Sequence, residues 1–218
     1  MKNKTVAIIP IKAESERVKK KNFRLLNGIP LYEYYLNKVA NSFFDEIYVD
    51  TDSSEVEDFL EETDFIHIPR LPKLAESNAN GNDLLNYHAS IIEADYYFQL
   101  FITAPLLKVK TINSAIEILH NSKNNDSIFT ANKIYSWFWY NDLPVNYDPK
   151  VLPRSQDAKP IIRETTGLYG ISKDSLLRNK CRIGNNPFML MVDEYEAADI
   201  DTEFDFQYVE FLIKNILF

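Results

Sequence analysis

The chain has 218 residues, and its 24 basic against 32 acidic side chains give a formal net charge of −8. This acidic balance argues against a general nucleic-acid-binding surface. The single cysteine, Cys181, excludes a disulfide framework, and we interpret it as a structural or surface thiol. No apolar run approaches the length of a membrane span or of a signal-peptide core. We therefore expect a cytoplasmic globular protein without nucleic-acid or membrane partners.

The first predicted strand leads directly into a basic loop. Residues 6–9 form a short, β-branched apolar run before Pro10, which is typical of a buried strand. Six cations then follow within thirteen residues: Lys12, Arg17, Lys19, Lys20, Lys21 and Arg24. Because ligands of α/β proteins bind at the carboxyl edge of the sheet, this position favours a polyphosphate site over a merely solvated charge run.

Helix and strand patterns alternate along the following segments, beginning after a turn signal at Asn27-Gly28. Helical spacing predicts helices over residues 31–41, 55–62, 83–93 and 111–121, with Ser53 or Ser54 capping the second. Short apolar runs predict strands over residues 46–50, 65–68, 96–101 and 127–130, and we interpret residues 76–82 as a loop. This alternation predicts an α/β fold built on a doubly wound, mostly parallel sheet.

The alternation stops after Asn132. Residues 133–160 contain several prolines and an aromatic cluster without helical period, namely Tyr135, Trp137, Phe138, Trp139 and Tyr140. Such a composition favours a subunit interface over internal core. Further strands are predicted over residues 167–171 and 188–192, a short helix over 173–178, and a C-terminal helix over 202–217 capped by Thr202. We predict a single domain over residues 1–218, with 133–160 as an insert.

Asp199 and Asp201 flank an isoleucine near the C-terminus. In an extended backbone, alternation places both carboxylates on one face and Ile200 in the core. Two convergent carboxylates suit Mg²⁺, which fills its remaining positions with water and phosphate oxygens. The alternative is a set of carboxylates favoured by the dipole of the last helix, a role that Glu203 and Asp205 fit. Together with the basic loop, the metal interpretation is favoured and indicates a nucleotide-handling site.

Other catalytic signatures are missing from the sequence. His67, His88 and His120 lack the spacing of a metal-binding set, so we interpret them as buried or surface residues. Neither a Gly-x-Ser-x-Gly motif nor a Walker motif occurs, which argues against a serine hydrolase and a P-loop ATPase.

Six segments resemble, in the same order, the sugar-acid cytidylyltransferases, and most closely the acylneuraminate group. The opening segment is residues 7–31, AIIPIKAESERVKKKNFRLLNGIPL. The others are RLPKLA at 70–75, FITAPL at 101–106, RSQD at 154–157, ETTGLY at 164–169 and EAADIDTEFD at 196–205. Each segment alone is a weak signal, but their order across almost the whole chain is a strong one.

The resemblance implies a Rossmann-like nucleotidyltransferase fold with a small dimerisation insert, and thus a homodimer. It implies transfer of CMP from CTP to a nonulosonic, sialic-acid-like sugar acid for a surface glycan, with Mg²⁺ as cofactor and pyrophosphate leaving. Residues implied to bind the nucleotide are Lys12, Ser15, Lys21, Asn22, Arg70, Asn80, Gly81 and Asn82. Residues implied to bind substrate are Thr103, Gln156, Glu164, Thr165, Thr166 and Tyr169. Lys21, Asp199 and Asp201 are implied to be catalytic, the two aspartates as metal ligands.

The chain also departs from the family pattern. It has Lys12-Ala13-Glu14-Ser15 where the family has Arg-Gly-Gly-Ser, and Glu16 adds a further carboxylate to this loop. Phe101 and Leu107 replace a family glutamine and arginine. Two alternatives therefore stay open: a related enzyme that uses a Kdo-like acceptor or GTP, and a degenerate, non-catalytic member that binds nucleotide.

Overall fold

A computed structural model describes residues 3–15, 17–151 and 154–216. Glu16 and the end of the predicted C-terminal helix, residue 217, lie outside the described residues. The strands are β1 (Thr5–Ile11), β2 (Leu25–Leu26), β3 (Ile29–Pro30), β4 (Glu46–Thr51), β5 (Ile66–Pro69), β6 (Tyr96–Leu100), β7 (Ser127–Ile134), β8 (Trp139–Tyr140), β9 (Leu143–Pro144), β10 (Ile161–Ser172) and β11 (Pro187–Met191). The α-helices are α1 (Leu31–Val39), α2 (Ser54–Leu60), α3 (Pro72–Ala75), α4 (Gly81–Ile91), α5 (Val109–Asn121), α6 (Lys173–Asn179) and α7 (Glu203–Asn215). Within the described residues, none of these helices has the length and apolar character needed to cross a membrane.

The main sheet has, within the described residues, seven strands in the order β11-β7-β10-β6-β1-β4-β5. Neighbouring strands are parallel except at β10, which runs antiparallel to both β6 and β7. The predicted mostly parallel α/β sheet is confirmed. From β1 the chain adds β4 and β5 on one side and then places β6 on the other. The carboxyl ends of β1 and β6 therefore form a topological switch point, where α/β proteins bind ligands.

Apolar clusters cover both faces of this sheet. Ile9 of β1 packs in the cluster that contains Leu36 of α1, whereas Ile8 belongs to the opposite cluster with Leu85 of α4 and Leu176 of α6. Burial on both faces explains why the parallel strands are continuous apolar runs. Because both faces are covered, the space for a ligand lies at the carboxyl edge of the sheet.

Two predicted boundaries are corrected by the structure. Strand β10 begins at Ile161, six residues before its predicted start, because residues 161–164 pair with β7 on the far side of a register shift between Glu164 and Tyr169. Helix α4 begins at Gly81, within the stretch predicted as a loop. The Asn80 side chain accepts hydrogen bonds from the backbone N–H groups of Asn82 and Asp83, and the Asp83 carboxylate accepts one from the Asn80 backbone. This capping box starts the helix early.

The predicted insert begins in β7, which continues to Ile134, and its aromatic part forms the β8–β9 hairpin. Asn141 and Asp142 have φ angles of 47° and 62°, as a two-residue hairpin turn requires. The hairpin leaves Trp139 57% and Tyr140 73% exposed. Exposed aromatic area of this kind is typical of an interaction surface.

Candidate active site

A basic cavity of about 310 Å³ opens at the switch point, between the carboxyl ends of β1 and β6. Its lining includes six of the residues implied by the resemblance: Lys12, Ser15, Lys21, Asn22, Arg70 and Thr103. Arg17 also lines it, and so does the carboxylate residue Glu14. Four cations therefore line this small cavity, which favours an anionic ligand.

The basic loop is held to the sheet by a few polar contacts. The amide of Asn22, which is buried, donates to the Lys12 carbonyl at 2.7 Å. The backbone N–H of Ala13 donates to the Asp52 carboxylate at 2.7 Å. Lys20 adopts a left-handed conformation with φ 51°, and the chain then enters a single 3₁₀ turn at Lys21–Phe23. These contacts place the Lys21 side chain over the sheet edge.

A larger cavity of about 670 Å³ lies between β7, β10 and the start of α7. Five further predicted site residues line it: Glu164, Thr165, Thr166, Asp199 and Asp201. Lys133 and Arg163 supply cations to the same lining. The cavity thus combines acidic, basic and hydroxyl groups, which suits a polar ligand.

The two cavities adjoin at the segment from Asp199 to Asp201. The Lys21 Nζ donates to the Ile200 carbonyl at 2.6 Å, and the Arg17 guanidinium pairs with the Asp201 carboxylate at 2.6 Å. From the β6 side, the Ile200 N–H donates to the Thr103 carbonyl at 2.8 Å. Residues of the basic cavity therefore contact the carboxylate segment of the larger cavity directly.

The carboxylate segment fits a magnesium ion. Ile200 is fully buried and both aspartates line the larger cavity, as the predicted alternation requires. One Asp199 oxygen accepts from the Thr166 hydroxyl at 2.7 Å, whereas the other is buried and has no hydrogen-bond partner. A buried carboxylate oxygen without a donor is a suitable cation ligand.

The described residues contain no cluster of three or more His, Cys, Asp or Glu side chains that could hold a metal alone. Two carboxylates with phosphate oxygens suit Mg²⁺ better than Zn²⁺.

Electrostatics link Lys21 to the same segment. Burial lowers the pKa of the Lys21 ammonium, while the negative charges of Asp201 and Asp199 oppose that shift. Burial alone would raise the pKa of Asp205, but hydrogen bonds from Thr202 and from the Asp201 N–H outweigh it and hold the pKa low. Asp205 therefore acts as a hydrogen-bond acceptor that orders the backbone following the two aspartates.

Arg70 enters the basic cavity from the opposite side. Its backbone N–H donates to the Thr51 carbonyl at 2.9 Å, so Arg70 follows β5 beside the end of β4. The guanidinium is nearly buried and pairs with the buried carboxylate of Asp50, which also bonds His88. Sequence reasoning did not identify Asp50 or His88 as part of the site.

The remaining predicted site residues lie elsewhere. Asn80, Gly81 and Asn82 form the N-terminus of α4 rather than a free loop, and they are not among the residues lining either cavity. Tyr169 is buried, and its hydroxyl donates to Glu164 at 2.5 Å. Gln156 is exposed in a 3₁₀ turn at Ser155–Asp157.

Arg182 is a site-adjacent residue that the sequence did not reveal. Its guanidinium carbon lies 3.6 Å from the centroid of the Tyr169 ring, and its backbone N–H donates to the Asn82 side chain at 2.9 Å. It occupies the space that a Cβ on Gly81 would need. Arg182 thereby joins the start of α4 to the wall formed by β10.

Phe101 and Leu107, the two departures outside the basic loop, have different surroundings. Phe101 lines the basic cavity, and its ring meets the Tyr169 ring edge-on at 6.2 Å. Leu107 is 1% exposed and packs in the core near Gly167. Only Phe101 of this pair is thus able to touch a ligand.

A solved structure and two curated proteins are similar to this chain. The structure of CMP:2-keto-3-deoxy-manno-octonic acid synthetase complexed with CTP superposes with a TM-score of 0.71 at 16% identity, covering 97% of this chain and 98% of that one. Post-translational flagellin modification protein B of Campylobacter coli is 28% identical, over 92% of this chain and 91% of its own length. N-acylneuraminate cytidylyltransferase A of Danio rerio is 23% identical over 94% of this chain, which spans only 49% of that longer protein.

The structural similarity supports the nucleotidyltransferase-type fold. It supports the fold alone, because the sequence identity of the two chains is only 16%. The sequence-family comparison covers nearly the whole chain: residues 6–210 match the family model described as Cytidylyltransferase. This match confirms the predicted family and enzyme class. The chain belongs to the cytidylyltransferase family of nucleotidyltransferases.

Proposed function

We propose that the protein transfers CMP from CTP to a hydroxyl group of a nonulosonic, sialic-acid-like sugar acid and releases pyrophosphate. The observation that carries this proposal is the junction of the two cavities at the Asp199–Asp201 segment. There, Lys21 and Arg17 from the basic cavity meet the carboxylates of the larger one. A phosphate held by the cations would face an acceptor held in the larger cavity.

The basic cavity is the proposed nucleotide site. Lys12, Lys21 and Arg17 lie after β1 and provide positive charge for a triphosphate. Phosphoryl and nucleotidyl transfer depend mainly on positioning and charge neutralisation, so fixed cations are the main contribution of the protein. Lys21 is held by the Ile200 carbonyl, which places its charge at the carboxylate segment.

Asp199 and Asp201 would hold Mg²⁺. The buried, unpartnered oxygen of Asp199 supports this assignment. When bound, the ion would polarise the α-phosphate and neutralise developing charge. The Thr166 hydroxyl fixes the other Asp199 oxygen, so the carboxylate is oriented before a ligand arrives.

The larger cavity is the proposed acceptor site. Lys133 and Arg163 provide cations for a sugar-acid carboxylate, while Glu164 and Thr166 can bond its hydroxyl groups. The similarity to an N-acylneuraminate cytidylyltransferase supports a nonulosonic acceptor, and the similarity to a flagellin modification protein supports a surface glycan as the destination.

The reaction exchanges one bond to phosphorus for another. The acceptor hydroxyl oxygen bonds the α-phosphorus of CTP and releases its proton to water, while the bond to the bridging oxygen of the β-phosphate breaks. Pyrophosphate takes the bonding electrons as it leaves. Lys21 and Arg17 would stabilise the negative charge that accumulates during this exchange.

A non-catalytic nucleotide-binding protein is the second candidate. Glu14 lines the basic cavity where the family pattern has glycine, and Arg17 is engaged by Asp201. Both features weaken the positive field that a triphosphate would meet. Nucleotide binding without turnover would support this candidate. The other alternative is an enzyme that uses a Kdo-like acceptor or GTP, which would catalyse the same type of transfer and form a different product.

We also propose that the protein is a cytoplasmic homodimer. The exposed aromatic β8–β9 hairpin supports a subunit contact, because a surface of this type is usually covered by protein. The single cysteine is consistent with a reducing compartment.

The first experiment is a set of thermal melts with CTP, GTP, UTP and ATP, each with and without Mg²⁺. A ligand at about a hundred times its Kd adds about 2.7 kcal/mol, which raises the Tm of a chain of this size by roughly 5–10 °C. We expect a shift with CTP that increases with Mg²⁺. A shift with GTP alone would change the proposed donor, and no shift with any nucleotide would refute the proposed function.

The metal assignment is tested by Asp201→Asn in a pyrophosphate-release assay with CTP and a panel of sugar acids. We expect loss of release with an unchanged melting temperature, because Asp201 is partly exposed and its backbone contacts stay intact. Asp174→Asn, which alters an exposed carboxylate of α6, is the matched control and should retain release. Full activity of the Asp201 variant would refute the metal assignment.

A further inference from the structure

Arg70, Asp50 and His88 form a buried polar network beside the basic cavity. The side chains of Asp50 and His88 are 0% exposed and that of Arg70 is 3% exposed. His88 Nε2 lies 2.6 Å from one Asp50 oxygen, and the Arg70 Nε–H donates to the other. A second Arg70 nitrogen donates to the Asp50 carbonyl at 3.1 Å. Both oxygens of one buried carboxylate are thus used to hold an arginine and a histidine.

The network leaves Arg70 with free donors at the cavity. A guanidinium has five N–H donors, and the contacts to Asp50 account for two of them. Among the described residues, no other acceptor bonds the Arg70 side chain, which lines the basic cavity. No Arg70 nitrogen is among the buried unpartnered atoms of the described residues, so the remaining N–H groups are open to an acceptor of a ligand in the cavity.

His88 faces Asp50 with its Nε2 atom. A carboxylate only accepts hydrogen bonds, so the nitrogen facing Asp50 must carry hydrogen. The other nitrogen, Nδ1, is buried and has no partner in the described structure.

We propose that His88 is a positioning residue for nucleotide recognition: it fixes Asp50, which directs the free donors of Arg70 at the nucleoside part of the nucleotide. This inference rests on the proposed function, because it requires a nucleotide in the basic cavity. His88 itself touches no ligand. Its effect passes through the carboxylate that it shares with Arg70.

The strand order identifies the group that Arg70 meets. Lys21 and Arg17 contact the carboxylate segment next to Thr103, which follows β6, and so mark the phosphate end. Arg70 follows β5, which lies beyond β1 and β4 in the sheet. It therefore faces the opposite end of the ligand, where the O2 and N3 acceptors of cytosine match guanidinium donors.

The test compares two polar substitutions of His88. The amide of His88→Gln can reach the Nε2 position and donate to Asp50, whereas the shorter His88→Asn reaches only the Nδ1 position. Titration calorimetry with CTP measures the nucleotide site, and titration with inorganic tripolyphosphate measures the cation loop alone. His67→Asn, in β5 outside the network, is the matched control.

We expect His88→Asn to weaken CTP binding by about tenfold, a typical cost of a lost hydrogen bond to a charged group. Tripolyphosphate affinity should stay within about twofold, and His88→Gln should bind CTP within about twofold of the wild-type protein. Equal CTP affinity in the wild-type and Asn variants would overturn the inference. So would a parallel loss for both ligands, which would indicate general damage.

The same titrations separate this inference from the proposed function. If the wild-type protein binds no CTP, the proposed function fails, and the inference that rests on it fails too. If the wild-type protein binds CTP and the Asn variant binds it equally, only the role of His88 is refuted.

Discussion

At the residue scale, Lys38 is held beneath the turn that carries Thr103. Its ammonium donates to the Pro105 carbonyl, and its Nζ lies 5.0 Å from the centroid of the Tyr35 ring. Burial lowers the pKa of Lys38 to about 7, while the negative charge of Glu196 opposes the shift. A lysine that loses its proton this easily makes folding stability depend on pH.

The direction of that dependence follows from the two pKa values of Lys38. The pKa is about 7 in the folded protein against 10.5 for the ordinary group, so between these pH values the unfolded chain binds more protons. The free energy of unfolding then rises with pH, by about 2 kcal/mol between pH 7 and 9. We expect Lys38→Met to remove this rise, as measured by urea unfolding at pH 7, 8 and 9.

The control for Lys38 is Lys110→Met, which removes an exposed ammonium group from α5 and should keep the wild-type pH dependence. Parallel pH profiles for Lys38→Met and the wild-type protein would contradict the expected burial of this amine.

Sequence patterns were sufficient for some site residues and insufficient for others. The cations after β1 and the pair Asp199 and Asp201 stand next to strong local signals, an apolar strand in one case and a helix cap in the other. Asp50 and His88 are 38 positions apart, one ending a strand pattern and the other on an amphipathic helix. Neither pattern differs from that of an ordinary core residue, because their contact is made only by tertiary packing.

At the scale of elements, α7 begins at a capping box directly after the carboxylate segment. The Thr202 hydroxyl accepts from the Asp205 N–H at 3.3 Å, and Asp205 accepts from the backbone N–H groups of Thr202 and Asp201 at 2.7 and 3.1 Å. The cap therefore orders both the helix and the backbone that carries Asp201.

We expect Thr202→Ala to lower the free energy of unfolding by about 1 kcal/mol, the usual cost of a lost N-cap. Thr202→Ser keeps the hydroxyl and should stay close to the wild-type protein. Urea unfolding of the three proteins measures the difference. If alanine and serine variants are equally stable, the hydroxyl does not cap α7.

Local sequence patterns predict the boundaries of some elements better than those of others. Strands β1, β4 and β6 have the predicted positions within two residues, because burial on both faces gives them an apolar run. The first part of β10 has only the apolar pair Ile161 and Ile162 before the exposed residues Arg163 and Glu164. This run is too short to predict a strand, and it is paired only through β7. At α4, Gly81 is a weak helix former and does not indicate a helix start. Asn80 and Asp83 have the spacing of a capping box, which does predict a helix beginning at residue 81.

At the scale of the whole molecule, the exposed hairpin predicts the subunit contact. We expect the wild-type protein to have about twice the 25.4 kDa mass of one chain in light scattering coupled to gel filtration. Trp139→Glu places a charge at the proposed contact and should yield the monomer mass, because charge is depleted at the centres of such interfaces.

Phe43→Glu is the matched control, since Phe43 is 62% exposed and lies outside the hairpin. That variant should keep the wild-type mass. A wild-type monomer, or a Trp139 variant with unchanged dimer mass, would refute the proposed contact.

The antiparallel strand of the main sheet, β10, also bears on the order in which the sheet forms during synthesis. Strands β6 and β7 lie one strand apart, about 10 Å, and the strand that fills this space begins only at Ile161. Among the described residues, β7 pairs only with β10 and β11, and both follow it in the chain. Until residue 172 has been synthesised, the edges of β6 and β7 that β10 covers therefore have no partner, and open edges are where nascent chains pair wrongly. The strand that lines the larger cavity is thus also the one that joins β7 to the rest of the sheet.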